Sequence, residues 1–222
     1  PDWDDVVFCC NESHLQDPSL GLADLLMARR PGARIVSVAS HELGPGWAVV
    51  QAEKYVDLDR PVVVNYCDFA CFWDSRDIEE ILSSGDYEGC LPAYTGFHPH
   101  QLNSTSFAYM KHEDLLVTDI QEKKPWTENP RSEYASTGTY GFSSGRTMLE
   151  ALNEQFAAQL SVNGEFYFSL TYKPLLARGS RVKILPVQHF MQWGTPEDLE
   201  DYRQYSDALS AWNVERAGQS SS

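Results

Sequence analysis

The residues best suited to chemistry stand at the end of Pro61-Val62-Val63-Val64-Asn65-Tyr66-Cys67-Asp68, where a β-branched run stops at a carboxylate. A short apolar run bounded by Pro and polar residues reads as a central strand buried on both faces of a sheet. Open α/β sheets bind ligands at the carboxyl ends of their strands. A carboxylate there can hold Mg²⁺ against a phosphate, because Mg²⁺ prefers one or two carboxylates plus phosphate oxygens. Asp68 would equally serve to cap a turn, and the run by itself leaves both roles open. His98-Pro99-His100 has metal-ligand residue types, but the intervening Pro and the lack of a third ligand nearby make it a surface turn. The cysteines Cys9, Cys10, Cys67, Cys71 and Cys90 contain no Cys-x-x-Cys pair. Cys9, Cys10 and Cys67 lie inside apolar runs and read as buried free thiols of a reducing compartment, not as zinc ligands.

Composition narrows the partners. The chain has 222 residues, 42% of them hydrophobic and 12% aromatic, enough for one large domain with a full core. It carries 17 basic and 32 acidic residues, a net charge of -15. That field repels nucleic acid and anionic membranes, and an anionic substrate needs local basic groups or a divalent cation to offset it. No apolar run is long enough to span a bilayer and no secretory signal opens the sequence, so a cytoplasmic location is expected.

The elements that position Asp68 alternate at short intervals. Asp5 to Cys10 is a buried strand, followed by a helix with Leu20, Leu22, Leu25, Leu26 and Met27 that Pro31-Gly32 stops. Ala33 to Val38 is the next strand. Gly44-Pro45-Gly46 opens a helix from Trp47 to Tyr55, and the Val62–Asp68 run comes after it. This strand–helix–strand–helix–strand order predicts a parallel sheet covered by helices. Beyond Asp68 a helix runs from Asp74 or Ser75 to Gly85. Extended, Tyr-, Phe- and Thr-rich pieces follow at Gly89–Tyr94, Ser106–Lys111, Leu115–Gln121 and Tyr134–Phe142 and suit a mixed or antiparallel continuation. A helix is expected from Gly145 to Leu160, a helical segment from Gly164 to Leu176, and a strand from Arg181 to Val187. Thr195-Pro196-Glu197-Asp198 starts a helix, with Thr as N-cap and Pro at N1. Residues 1–216 form one domain, and the polar tail Ala217 to Ser222 is expected to be disordered. No G-x-G-x-x-G or Walker-type run occurs anywhere.

Five motifs in order carry a resemblance: Val62 to Asp68; Ile120-Gln121-Glu122-Lys123-Lys124-Pro125; Ala135 to Phe142 with Gly138 at its centre; Gly164-Glu165; and Gln192 to Leu199. Together they resemble the sugar-1-phosphate nucleotidyltransferases (NDP-sugar pyrophosphorylases), in particular the branch that serves capsule and surface-polysaccharide synthesis. The resemblance covers nearly the whole chain, from Asp5 to about Tyr205. It implies a Rossmann-like, mixed but mainly parallel sheet with helices on both faces, and Mg²⁺ dependence. It implies that a sugar phosphate, or a similar phosphorylated building block, attacks the α-phosphate of an NTP and pyrophosphate leaves. Charge on the phosphate oxygens is then stabilised by metal and Lys, and positioning supplies much of the remainder.

By the same resemblance Asp68 matches the metal-binding Asp and Lys123 the lysine that holds the sugar phosphate, with Lys124 as the alternative in that role. Gly138 matches a glycine whose backbone approaches the sugar, Glu165 an acid that accepts from substrate hydroxyls, and Gly46 the segment near the nucleotide base. Two departures accompany it. The Gly-rich, Arg- and Lys-bearing loop with which the family opens is missing, with Pro1 falling just after its place, so either the chemistry does without it or that unit is absent from this chain. The family's second metal carboxylate falls at Gln192, an amide and a poor Mg²⁺ ligand. A glycosyltransferase of related topology is the first alternative, although Asp68-Phe69-Ala70 is not the Asp-x-Asp such enzymes use. A non-catalytic, sugar-phosphate-binding regulatory domain is the second. Oligomer formation is compatible with either.

Overall fold

The computed structural model describes residues 5–102 and 104–219. The N-terminal part keeps the expected strand–helix–strand order, but the strand expected to be buried has no buried residue and the helix expected from Trp47 to Tyr55 is shorter: β1 (Val7–Asn11), α1 (Glu12–Gln16), α2 (Leu22–Arg29), β2 (Arg34–Val38) and α3 (Pro45–Val50). Asn11 ends β1 and caps α1 through its side chain, which accepts from Ser13 N at 2.9 Å. β1 and β2 pair in parallel as a separate two-stranded sheet.

Next come β3 (Val62–Asn65), β4 (Phe69–Phe72), α4 (Ser75–Ser83), β5 (Gly89–Tyr94), β6 (Ala108–Glu113), β7 (Leu116–Glu122), β8 (Tyr134–Ser136) and β9 (Thr139–Phe142). The chain ends with α5 (Gly145–Ala157), α6 (Tyr172–Ala177), β10 (Val182–Pro186), β11 (His189–Gln192) and α7 (Pro196–Gln219). The main sheet has the order β10-β7-β6-β8-β5-β9-β3. A further pairing of β10 with β5 closes β5, β10, β7, β6 and β8 into a barrel-like ring.

The fold is mixed α/β, but the sheet is not mainly parallel. Only β1–β2 and β5–β10 run parallel; every other described pairing is antiparallel. The local apolar pattern that marks a buried strand does not encode the direction of its neighbour. β3 departs further from expectation. It is the edge of the main sheet, antiparallel to β9 through Val62–Phe142 to Asn65–Thr139, and its three valines are half-buried. Its other edge has no strand partner among the described residues.

Three apolar clusters hold the molecule. The largest joins β5 to β7, β9, β10, α5 and α6 around Leu91, Ile120, Phe142, Met148, Leu152 and Tyr172. A second packs Tyr94, Phe107, Tyr109, Val187 and Phe190, and a third seats α4 through Ile78 and Leu82 against Cys90. The second cluster corrects the expected surface turn at His98-Pro99-His100. That segment leads into a short 3₁₀ helix (Pro99–Leu102), His98 is buried, and His100 Nε2 lies 2.9 Å from the Tyr94 hydroxyl. Burial first, and then the neighbouring His98, push His100 down to about 4 against the raising influence of Asp198. The cysteines also divide: Cys90 is buried, whereas Cys9 and Cys67 are exposed.

α7 starts as the sequence predicts. Thr195 Oγ1 accepts from Asp198 N at 3.0 Å, and Asp198 Oδ2 accepts from Thr195 N at 3.1 Å, a reciprocal cap. The helix continues through Gln219, so the first three residues of the tail expected to be disordered are helical. Residues 220–222 lie outside the described residues. No helix among the described residues is long and apolar enough to cross a membrane.

Candidate functional site

Asp68 is exposed, three residues beyond the end of β3 and just ahead of β4. Two hydrogen-bonded contacts fix this corner. Gly138 O accepts from Tyr66 N at 3.0 Å, and Asp68 O accepts from Trp193 N at 2.8 Å. The second contact follows from the antiparallel pairing of β4 with β11 (Phe69–Gln192 to Phe72–His189), which leads the chain after β11 back to Asp68. A Cβ on Gly194 would fall 2.9 Å from Asp68 Oδ2 and 3.2 Å from Gln192 Nε2, so the Asp68 carboxylate lies against this turn. Gln192 Nε2 in turn lies 3.4 Å from Asp198 Oδ2.

Gly138 sits at the break between β8 and β9 with φ +93°. A side chain there would be strained and would meet Tyr66 at 3.1 Å and Phe69 at 3.2 Å. Beneath this corner the rings of Tyr66 and Tyr140 pack edge to face with centroids 5.5 Å apart. Burial first, then the charges of Glu122 and Asp68, raise the Tyr140 phenol well above its usual range.

Glu122 and Lys123 close β7. Glu122 is buried, and its Oε2 accepts from Ser169 Oγ at 2.5 Å. Burial pushes its carboxyl up, against the lowering by Ser169 and Lys123. Lys123 leaves the strand with φ +58°, while its N–H still reaches Phe107 O at 2.9 Å. That turn sends its ammonium to the Tyr167 hydroxyl and over the Tyr167 ring, 4.4 Å from the centroid. Lys124 is exposed, and its carbonyl accepts from Gln121 Nε2. Of the two adjacent lysines, Lys123 is the one brought to Glu165.

Glu165 follows the turn at Gly164 and borders a cavity of about 590 Å³ lined by His41, Glu42, Leu43, Gly44, Asn163 and Gly164. The two walls are zipped by backbone bonds, Phe166 N to Leu43 O at 2.8 Å and Gly46 N to Phe166 O at 2.9 Å. Gly46 is buried in that zipper: a Cβ would stand 2.7 Å from Phe166 O. Its own role in the structure is close backbone packing, and the cavity lining passes to Gly44.

A chain of contacts runs from the Asp68–Gly138 corner through Tyr66, whose hydroxyl accepts from Phe168 N, to neighbouring Tyr167 and Lys123, and leaves Lys124 exposed. Tyr167, Tyr66, Tyr140 and Ser169 belong to the same region and carry no sequence signal that separates them from core residues. Among the described residues no group of three or more His, Cys, Asp or Glu side chains could hold a metal ion. The donor set fits Mg²⁺ only as an ion shared with substrate: one exposed carboxylate, with phosphate oxygens and water completing the octahedron.

No family model matches the chain, and no curated protein matches it. Solved structures do. The nucleoside-diphosphate-sugar pyrophosphorylase from Vibrio cholerae RC9 superposes with a TM-score of 0.68 at 19% identity, covering 89% of this chain and 80% of that one. A UDP-glucose pyrophosphorylase complexed with UDP-glucose gives 0.62 at 14% identity, covering 86% and 73%. The inositol-1-phosphate CTP transferase from T. maritima gives 0.57 at 12% identity, covering 80% and 67%. At these identities the common property is the fold, and the chain has the mixed α/β fold of these nucleotidyltransferases.

Proposed function

We propose that this chain is a cytoplasmic nucleotidyltransferase that joins an NTP to a sugar 1-phosphate, or a similar phosphorylated building block, with release of pyrophosphate. Its product would be an activated precursor for a surface polysaccharide. What supports the proposal is a fold shared with nucleotidyltransferases together with the chain of contacts that runs from the Asp68 corner through Tyr66 and Phe168 to Tyr167 and Lys123.

Each residue has a role that its chemistry can perform. Mg²⁺ held by Asp68 and substrate phosphates would neutralise charge as it develops on the transferred group. Lys123 donates to the phosphate of the acceptor, holding it for attack. Glu165 accepts from substrate hydroxyls, and its half-buried position makes those bonds selective. Gly138 offers backbone where a Cβ would occupy the space of the ligand. The Gly44–Gly46 segment, rigid against Phe166, forms one wall of the cavity beside the base.

The test is pyrophosphate release by the full-length protein across a panel of NTPs and sugar 1-phosphates. Asp68→Ala is expected to lower turnover by about 100-fold or more, the scale of losing one charge-stabilising group. Asp68 is exposed, so its truncation leaves the fold intact, and circular dichroism checks it. Unchanged turnover in the variant rejects the role of Asp68. One observation favours a second possibility. Gln192 brings an amide, not a carboxylate, beside Asp68, as a sugar-phosphate-binding domain without catalysis would tolerate. Calorimetry separates the two: binding of sugar phosphate with no binding of any NTP supports the non-catalytic domain.

A further inference from the structure

We propose that the cavity between β7, α5 and α6 is a binding site for a zwitterionic α-amino acid with an apolar side chain. It has a volume of about 560 Å³ and shares no lining residue with the cavity beside Glu165.

Its walls carry matched charges. Lys173 of α6 donates to Asp119 Oδ1 of β7 at 2.8 Å, and Ile120 N donates to the same oxygen at 2.8 Å. Both bonds fall on Oδ1, which leaves Oδ2 to accept from a ligand. The Lys173 ammonium has three donors and gives one to Asp119, so the others remain for a carboxylate. Glu154 of α5 also lines the cavity, and its Oε1 accepts from Arg178 Nη1 at 2.6 Å. All four side chains are partly exposed. Ion pairs of this kind contribute little to folding and can rearrange around a guest. Leu160, Pro174 and Leu176 give the same cavity an apolar lining.

The strand is shaped to present this wall. Lys111 of β6 pairs with Asp119, and the next residue, His112, pairs with Val117, so Thr118 is an extra residue on β7. In a regular strand Thr118 and Asp119 would point to opposite faces. The bulge re-aims them, and both line the cavity.

Charge selects the ligand. Asp119 and Glu154 are each matched by a cation, so the rim is neutral as a whole. A simple anion would enter against the net charge of -15. A simple cation would bring a second positive group to Lys173. A zwitterion adds no net charge: its ammonium donates to Asp119 Oδ2 while its carboxylate accepts from Lys173. An apolar side chain then covers Leu160 and Leu176, and the burial of that surface favours binding.

The experiment is calorimetry of the protein with leucine and with probes that each lack one part of it. Leucinamide has no carboxylate, isocaproate no ammonium, and glycine no apolar side chain. Leucine is expected to bind, and each probe to bind about tenfold more weakly or worse, the scale of one charged hydrogen bond. Lys173→Met retains the apolar stem and removes the ammonium. It is expected to weaken leucine about tenfold and to spare leucinamide, so that the preference between the two disappears. No binding of leucine overturns the proposal, as does any probe that binds as tightly as leucine. Undiminished leucine binding by Lys173→Met overturns it as well. Should that variant not fold, Asp119→Asn keeps an oxygen for Ile120 N and removes the charge. It must weaken leucine and spare isocaproate, and unchanged leucine affinity overturns the proposal.

Discussion

Glu122 shows how a single residue of the site sets a measurable property. Its folded pKa is raised, chiefly by burial, with the Ser169 hydroxyl, Lys123 and Glu165 adjusting it. A carboxyl raised above its unfolded value contributes stability below that unfolded value, near 4.5, and loses it as pH climbs through the folded one. Glu122→Gln mimics the protonated acid and is expected to match the wild type at pH 4 but to melt about 2–4 °C higher at pH 8. Thermal denaturation of both proteins at the two pH values decides it, and a pH-independent offset contradicts it. Gly138 gives a second case. Alanine there would hold φ near +93° and crowd Tyr66, so Gly138→Ala should cost about 1–3 kcal/mol in urea unfolding. Its identity as a special-backbone glycine was legible in Ser136-Thr137-Gly138-Thr139. Which of Lys123 and Lys124 faces the site was not, because adjacent residues point to opposite faces and only the backbone turn at Lys123 decides. Tyr167 was silent for another reason: among Phe166, Phe168 and Tyr172 it reads as one more core aromatic.

At the scale of elements, apolar runs located most strands, and capping residues located helix starts. Asp74 accepts from Arg76 N at 3.0 Å to begin α4 as expected, whereas Ser144, which accepts from Thr147 N at 3.1 Å to begin α5, was not read as a cap. Strand direction was not legible, because Val62–Val64 have the same composition whether their neighbour runs parallel or antiparallel. β4 and β11 were missed for their length: each has four residues, too few for alternation to stand out, and they are visible only once paired. α5 is the element on which the site leans most. Its Gln155 donates to Leu160 O and Tyr167 O and accepts from the Thr171 hydroxyl, so Gln155→Leu removes three hydrogen bonds and leaves Tyr167 O with Leu170 N alone. The expected loss is about 2–4 kcal/mol in chemical denaturation. Stability equal to wild type would show that Gln155 does not anchor the 160–171 segment.

The whole molecule carries -15 net charge, and that number sets a response to salt that no single contact would give. At about 10 mM salt the screening length is about 30 Å, long enough for the acidic surface to act as one field on itself and on an approaching phosphate. At about 150 mM it falls to about 8 Å, and only groups next to the ligand still act on it. Lys123 is such a group, because it lies inside the site beside Tyr167 and Glu165. Screening therefore removes long-range repulsion before it removes local attraction. Two consequences are expected over that range of NaCl at neutral pH. The melting temperature should rise by about 2–4 °C as self-repulsion fades. Glucose 1-phosphate should bind more tightly, the reverse of the behaviour of a site that draws anions through a basic surface. Calorimetric titrations at the two salt concentrations measure the second effect, and weaker binding at 150 mM would mean that attraction at the site extends well beyond Lys123.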